Sequence, residues 1–103
     1  TENYDLLLYV ANWPKPRISA WDALLKARAI ENMCYTIGVN RVGADANQLE
    51  YPGHSKAIDY LGNSIVDCEQ ELGVFILELD INAQQEMRKK LNFLSDKDIF
   101  TIR

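Results

Sequence analysis

Cys34, Cys68 and His54 are the side chains whose types could supply nucleophilic or metal chemistry. A thiolate beside an imidazole is a common nucleophile–base pair, so either cysteine with His54 is a conceivable pair. Packing is the preferred interpretation, because Cys34 is expected at a helix-to-strand junction, Cys68 at the end of a hairpin strand and His54 as a hydrogen-bonding loop residue. The spacing is not that of a zinc site, and the scattered glycines form no phosphate-binding turn. We therefore expect no catalytic residue, no metal and no cofactor in this chain.

The best local candidate for a ligand site is the pair Asn12 and Trp13, which follows the first predicted strand. In α/β sheets, ligands gather at the carboxyl ends of strands. Asn12 offers an amide for hydrogen bonding, and Trp13 offers a large aromatic wall. The structural alternative, in which Trp13 fills core and Asn12 caps a turn, carries equal weight from position alone. Neither side chain can attack a carbonyl group, so the pair is a candidate pocket wall for binding substrate.

The elements that position these residues begin with a strand, a helix and a second strand. Residues 4–10 are a nearly continuous apolar run, typical of a strand buried on both faces, and two prolines follow it. Ser19 is the predicted N-cap of a helix over residues 20–33. Residues 34–40 are the second predicted strand, so the three elements have the length of a right-handed βαβ unit.

A loop is predicted over residues 41–53, where glycine, asparagine and proline accumulate. Residues 57–60 and 64–68 are predicted as short strands joined near Gly62. Glycine in the first central position of that connection favours a type II′ hairpin turn.

A third apolar strand is predicted over residues 74–80. Asn82, with Gln85 three residues later, resembles a capping box that opens a short helix ending in basic residues. The tail over residues 92–103 is aperiodic but carries several large apolar side chains, so we expect it to dock on another surface.

Composition is that of an ordinary globular domain, with 48% hydrophobic and 25% charged residues in 103. Fifteen acidic residues against 11 basic ones give a net charge of −4, which disfavours nucleic-acid partners. The longest apolar run, residues 6–11, is too short to span a bilayer, so no membrane partner is expected. A disulfide between the two cysteines is possible but not implied, and buried free thiols indicate a cytoplasmic protein.

The chain opens with Thr1, and the strand pattern is under way by Tyr4. We interpret Thr1 as a processing or cleavage point, with any targeting segment upstream of it.

Four groups of residues occur together in a familiar order and spacing. They are residues 10–14 (VANWP), residues 27–32 (ARAIEN), residues 38–43 (GVNRVG), and residues 53–55 (GHS) with Ile58 and Asp59. Together they resemble the C-terminal portion of the carbon–nitrogen hydrolases of the nitrilase superfamily, and most closely the omega-amidase-like branch. The resemblance covers residues 4–93.

This resemblance implies an α/β fold in which residues 1–103 are the C-terminal portion of a single domain, part of an α-β-β-α sandwich. It also implies hydrolysis of a small amide through a cysteine thioester, assisted by a glutamate base and a lysine. All three of those residues precede the matched region. The implied partners are a small amide substrate, the N-terminal part of the same enzyme and further copies in a homo-oligomer.

The resemblance carries over to few residues. Asn12 and Trp13 match the loop that lines the substrate pocket, and Arg28, Glu31 and Asn32 match the helix beside the subunit contact. Two other functions stay open: a non-catalytic binding or regulatory module that kept this half as a scaffold, and a separately encoded subunit that completes a site with another chain.

Overall fold

A computed structural model describes residues 4–91 of the chain. These residues form a mixed arrangement of strands and helices, with one 3₁₀ turn ahead of the first helix. In chain order the elements are β1 (Leu6–Ala11), the 3₁₀ turn (Lys15–Arg17), α1 (Ile18–Asn32), β2 (Tyr35–Asn40), β3 (Val42–Ala44), β4 (Glu50–Pro52), β5 (Lys56–Ile58), β6 (Ser64–Asp67) and α2 (Ile81–Leu91). None of the helices in this part of the chain is long and apolar enough to cross a membrane.

The main sheet has the strand order β1-β2-β5-β6, and β3 and β4 form a separate two-stranded ribbon. β1 and β2 pair in parallel, from Leu6 opposite Tyr35 to Ala11 opposite Asn40. A parallel pair needs a crossover connection, and α1 supplies it, so the predicted βαβ unit is confirmed. β5 pairs antiparallel with β2, and β6 pairs antiparallel with β5. The α/β prediction is confirmed by this mixed architecture.

Helix α1 packs on one face of the main sheet. Its Trp21, Leu25 and Ala29 are buried in one cluster with Ile58 of β5. Alternate residues of a strand share a face, and Gly38 of β2 lies on the face beneath the helix. A β-carbon on Gly38 would lie 2.7 Å from both Leu25 Cδ1 and Trp21 Cζ2. The glycine therefore allows the helix to approach the sheet closely.

The opposite face of the sheet is apolar and has no helix over it among the described residues. Val10 of β1 is 86% exposed there, and Val39 of β2 is 49% exposed. The segment that follows β6 lies beside this face. Phe75 and Leu77 of that segment and Ile37 of β2 help to line a cleft of about 270 Å³.

Helix α2 docks at the amino ends of β1 and β2. The side-chain amide of the buried Gln84 donates to the carbonyl oxygens of Asp5 and Met33, both at 3.0 Å. Arg88 Nε donates to the same Met33 carbonyl at 3.0 Å, and Arg88 Nη1 lies 2.7 Å from Asp5 Oδ1. Met33 ends α1 in the left-handed conformation, with φ 46°. α2 thus satisfies a carbonyl that the end of α1 leaves free.

Helix α1 begins earlier than predicted. The expectation that Ser19 caps a helix starting at residue 20 is wrong, because Arg17 occupies the N-cap position and Ser19 lies in the first turn. The preceding 3₁₀ turn is closed by the Arg17 N–H, which donates to the Pro14 carbonyl at 3.0 Å. Proline has a fixed φ suited to a helical first turn, so Pro16 helps to start the helix that it was expected only to precede.

The prediction of a loop over residues 41–53 is wrong, because this segment contains the β3–β4 hairpin. Asp45 holds the connection between these strands. Its Oδ1 accepts hydrogen bonds from the Asn47 and Leu49 N–H groups at 2.9 and 3.0 Å, and its Oδ2 accepts one from the Tyr51 hydroxyl at 2.9 Å. Strands of three residues give too short an alternation to be recognised in a segment rich in turn formers.

The two short strands predicted over residues 57–60 and 64–68 are present as β5 and β6, but the predicted type II′ turn is wrong. The Gly62 N–H donates to the Asp59 carbonyl at 2.9 Å, so Gly62 is the fourth residue of the turn and not its first central residue. Gly62 has φ 88°, and the Asp59 carboxylate accepts hydrogen bonds from the N–H groups of Leu61 and Asn63. An Asx-type turn therefore makes this connection.

The strand predicted over residues 74–80 is wrong for the described part of the chain, where this segment pairs with no strand. The predicted capping box is also wrong, because Asn82 lies inside α2. Asp80 takes the capping role, and its Oδ1 accepts the Ala83 N–H at 3.0 Å. The basic last turn of α2 is confirmed. The predicted docking of residues 92–103 lies outside the described residues.

Candidate functional site

The candidate site lies where β1 and β2 end side by side. Ala11 is opposite Asn40 in the parallel register, so the segment that leaves β1 starts beside the last residue of β2. Asn12 is exposed, and Trp13 is half-buried. The structure thus places both predicted substrate-binding residues at the carboxyl end of the parallel pair, the usual position of ligands in such sheets.

Asn40 holds the chain that leaves β1. Its side-chain Oδ1 accepts the Trp13 N–H at 2.6 Å, and its Nδ2 donates to the Trp13 carbonyl at 2.9 Å. The same Nδ2 donates to the Gly53 carbonyl at 2.8 Å. Ser55 Oγ accepts the Asn40 N–H at 2.8 Å and lies 3.2 Å from the Asn40 carbonyl. Asn40 therefore joins two segments that are distant in sequence.

Asn40 lies within residues 38–43 (GVNRVG), one of the groups that carry the family resemblance, but no role was predicted for it. The signal that was available is its position: an amide at the end of a strand otherwise expected to be buried. Asn40 is only 5% exposed. Buried polar side chains are almost always hydrogen-bonded, so an amide there indicates specific partners.

The Trp13 indole packs against the core cluster beneath α1 and also forms part of an open wall. Its ring centroid lies 5.9 Å from that of Trp21, at 41°, and the Arg17 guanidinium lies 5.7 Å from the Trp13 ring. A small pocket of about 130 Å³ opens beside these aromatic rings. Its lining residues are Tyr9, Trp13, Trp21, Leu24, Leu25 and Arg28. Trp13 therefore both packs against the core cluster and lines this pocket.

The β3–β4 ribbon, which was predicted as a loop, lies beside the segment that follows β1. Lys15 Nζ lies 3.1 Å from Glu50 Oε2, which connects that segment to β4. The Arg41 guanidinium lies 4.9 Å from the Tyr51 ring centroid. An open cleft of about 410 Å³ lies between these parts. Its lining residues are Lys15, Val42, Gly43, Ala44, Glu50, Tyr51, Pro52 and Gln70.

His54 contacts a carboxylate and a helix, not a cysteine. Its Nδ1 lies 3.0 Å from Asp22 Oδ2, and Lys56 Nζ lies 2.6 Å from Asp22 Oδ1. The His54 carbonyl accepts the Trp21 indole N–H at 2.9 Å. The hydrogen-bonding interpretation of His54 is thus confirmed, and the cluster it forms ties α1 to β5.

Neither cysteine has the surroundings of a nucleophile. Cys34 and Cys68 are both free thiols and both buried. Burial raises the pKa of the Cys34 thiol, although a hydrogen bond with Thr36 opposes this shift. Burial also raises the pKa of the Cys68 thiol. Both side chains are therefore protonated at neutral pH, and thiolate rather than thiol is the nucleophilic form.

The remaining charged side chains in the described range do not assemble a metal site: no group of three or more His, Cys, Asp or Glu residues over residues 4–91 could hold an ion. The predicted pair of Arg28 and Glu31 on α1 is present, with Arg28 Nη1 2.6 Å from Glu31 Oε1. This exposed pair adds little to stability.

Comparisons with known proteins identify the family to which this βαβ unit and its antiparallel extension belong. The family model described as carbon-nitrogen hydrolase matches residues 2–89. The chain belongs to the carbon-nitrogen hydrolase family, as its resemblance to the nitrilase superfamily predicted.

Relatives and solved structures agree with this assignment. The chain is 46% identical over 101 residues to omega-amidase YafV from Escherichia coli (strain K12), which is 97% of this chain and 40% of that protein. It is 34% identical over 102 residues to 2-oxoglutaramate amidase from Bacillus subtilis (strain 168), which is 97% of this chain and 39% of that protein. The chain therefore spans about 40% of the length of these curated relatives.

The fold is similar to that of XC1258 from Xanthomonas campestris, a CN-hydrolase superfamily protein whose structure carries an arsenic adduct in the active site. The TM-score is 0.92 at 44% identity, over 97% of this chain and 38% of that chain. This similarity confirms the predicted fold class.

Proposed function

We propose that residues 1–103 are the C-terminal part of an enzyme that hydrolyses amide bonds of small molecules, in the manner of an omega-amidase. The observation that carries the proposal is the 46% identity to omega-amidase YafV over 97% of this chain. The relative described as 2-oxoglutaramate amidase supports a monoamide of a dicarboxylic acid as the class of substrate.

The proposed reaction uses a cysteine that lies outside this chain. Its thiolate attacks the amide carbonyl, the amine leaves with a proton, and water then releases the acid from the thioester. A glutamate and a lysine, also outside this chain, supply the proton transfer and the positive charge that this chemistry needs. The burial of Cys34 and Cys68 and the raised pKa of each thiol support this assignment.

The N-terminal part of the same enzyme is the proposed partner of the uncovered sheet face. Val10 and Val39 make this face apolar, and Ile76 (92% exposed) adds apolar surface in the segment beside it. An apolar surface of this kind usually marks a contact with another part of a protein.

A further proposal is that copies of the enzyme pair across α1, where Leu24 and Ile30 are each 43% exposed beside the Arg28–Glu31 pair.

Asn12 and Trp13 are the proposed contribution of this chain to substrate binding. The exposed Asn12 amide would hydrogen-bond a polar group of the substrate, and the Trp13 indole would close one apolar side. Their position at the end of β1 supports this role.

The two free thiols support the proposed cytoplasmic location, because thiols stay reduced in the cytoplasm.

The experiment measures kcat/KM of the complete protein for monoamides of dicarboxylic acids of increasing length. Trp13→Ala should change the discrimination between neighbouring lengths by about 1–3 kcal/mol, the value of a methylene-sized change in an apolar pocket. Asn12→Ala should lower kcat/KM by a factor that corresponds to a loss of about 0.5–1.5 kcal/mol in transition-state binding, the value of one hydrogen bond. Thr36→Ala is the matched control, because Thr36 is buried on β2 away from the loop. Losses that follow only thermal stability would assign Asn12 and Trp13 to packing.

A further inference from the structure

The Trp13 backbone forms two hydrogen bonds with the Asn40 side chain, in the pattern that joins neighbouring strands of a sheet. Asn40 Oδ1 accepts the Trp13 N–H, and Asn40 Nδ2 donates to the Trp13 carbonyl. A primary amide has the same donor and acceptor groups as a peptide unit. The Asn40 side chain therefore continues the β1–β2 pairing by one step after both strands have ended.

This pairing fixes Trp13 from two sides. Gly53, which Asn40 Nδ2 also contacts, precedes His54, and the His54 carbonyl binds the indole of Trp21. Trp21 in turn packs beside the Trp13 ring, with 5.9 Å between centroids. The backbone of Trp13 and the wall behind its ring are thus both held by contacts that lead to Asn40.

We propose that Asn40 is a positioning residue for substrate selection, acting through Trp13, an inference that rests on the proposed function. Asn40 need not touch the substrate. Its burial and its three side-chain hydrogen bonds place the Trp13 backbone, and the backbone sets where the indole wall stands. Catalytic geometry is sensitive to small displacements of such supporting groups.

The test compares Asn40→Ser and Asn40→Asp with Thr36→Ala in the complete protein. Serine is too short to bridge both Trp13 groups, and aspartate keeps the shape of asparagine but loses both donors. Thr36 lies on the same strand and the same face as Asn40 and is also buried, so its variant controls for a general loss of stability.

The main readout is the ratio of kcat/KM for a short and a longer dicarboxylic monoamide. The concentration of folded enzyme cancels in this ratio, so a variant that folds poorly still reports on the site. We expect a change of about threefold to tenfold in the Asn40 variants, because a displaced apolar wall should change selectivity by less than the roughly 10–200-fold of a missing methylene group, and the wild-type ratio in Thr36→Ala. Hydrogen exchange at the Trp13 amide should also become faster in Asn40→Ser, which loses the acceptor of that N–H, and should be unchanged in Thr36→Ala.

The double variant Trp13→Ala/Asn40→Ser separates a positioning role from an independent one. If Asn40 acts through Trp13, the double variant should have the ratio of Trp13→Ala alone. Active Asn40 variants with the wild-type ratio, or effects of the two changes that add fully, would overturn the inference while leaving the proposed function intact. A wild-type protein that hydrolyses none of the monoamides would instead refute the proposed function, and this inference with it.

Discussion

Gly38→Ala is expected to destabilise the protein, although alanine is an ordinary strand residue. Gly38 lies in β2, between β1 and β5, directly beneath α1. The added β-carbon would lie 2.7 Å from Leu25 Cδ1, 2.7 Å from Trp21 Cζ2 and 3.0 Å from Leu25 Cδ2. Favourable carbon contacts lie at about 3.5–4.0 Å, so the neighbours must move by up to about 1 Å.

These neighbours have little room to move. Trp21 and Leu25 are 4% and 3% exposed, and the Trp21 indole is fixed by its hydrogen bond to the His54 carbonyl. Overpacking of a core by one methyl group costs about 1–3 kcal/mol. Removing the conformational freedom of glycine from a strand offsets about 0.5–1 kcal/mol of that cost. We therefore expect a net loss of about 1–2 kcal/mol, or about 2–8 °C in Tm for a protein of roughly 150–250 residues.

The assay is thermal unfolding of the complete protein carrying Gly38→Ala, Leu25→Ala or both changes. Leu25→Ala alone should cost about 2–5 kcal/mol, because it leaves a cavity. In the double variant the new methyl group of residue 38 enters the space that Leu25 vacated. The double variant should therefore be more stable than the sum of the single effects by about 1 kcal/mol or more. A stable Gly38→Ala protein, or strict additivity, would refute the close approach of α1 to β2.

Three further predictions concern other parts of the chain. Cys34→Ala and Cys68→Ala should keep most of the proposed amidase turnover of the complete protein while losing about 1–3 kcal/mol of stability; loss of acyl-enzyme formation with intact folding would contradict this. Hydrogen bonds from the Leu49 N–H and the Tyr51 hydroxyl lower the pKa of Asp45. Its stabilising effect should thus be complete above the ordinary pKa of about 4 and disappear as the pH falls through the lowered value; a Tm difference between wild type and Asp45→Ala that is equal at pH ~7 and pH ~3 would refute it. Residues 1–103 expressed alone should hydrolyse no small amide and should self-associate through the apolar sheet face; a monomer with a sharp cooperative melt would count against this.

The βαβ unit could be predicted because each of its elements has a local signal. The apolar run that becomes β1, the alanine- and leucine-rich helix α1 and the apolar β2 follow one another within a single stretch of chain. Their order and lengths leave a parallel pair with a helical crossover as the simplest arrangement. The predicted boundaries differ by one or two residues, since caps depend on local geometry such as the 3₁₀ turn before α1.

The prediction over residues 74–80 failed for a different reason. Alternating or continuous apolar residues report what a segment buries, but a strand exists only where another strand accepts its hydrogen bonds. Val74 and Ile76 are more than nine-tenths exposed, so within residues 4–91 this segment has neither the burial nor the partner strand that its composition suggests. The β3–β4 hairpin is the converse case, in which a good partner and the Asp45 turn compensate for weak local preference.

The candidate site depends on the same strand register that forms the core. Gly38 and Asn40 are two residues apart on β2, so they share one face of the sheet. Gly38 sets how closely Trp21 approaches, and Asn40 binds the backbone of Trp13. A shift of one residue in β2 would turn both side chains to the opposite face and bring Val39 beneath the helix. The packing of α1 therefore selects the register that also aligns Asn40 with Trp13, which explains how a short loop after β1 is held firmly by residues far away in sequence.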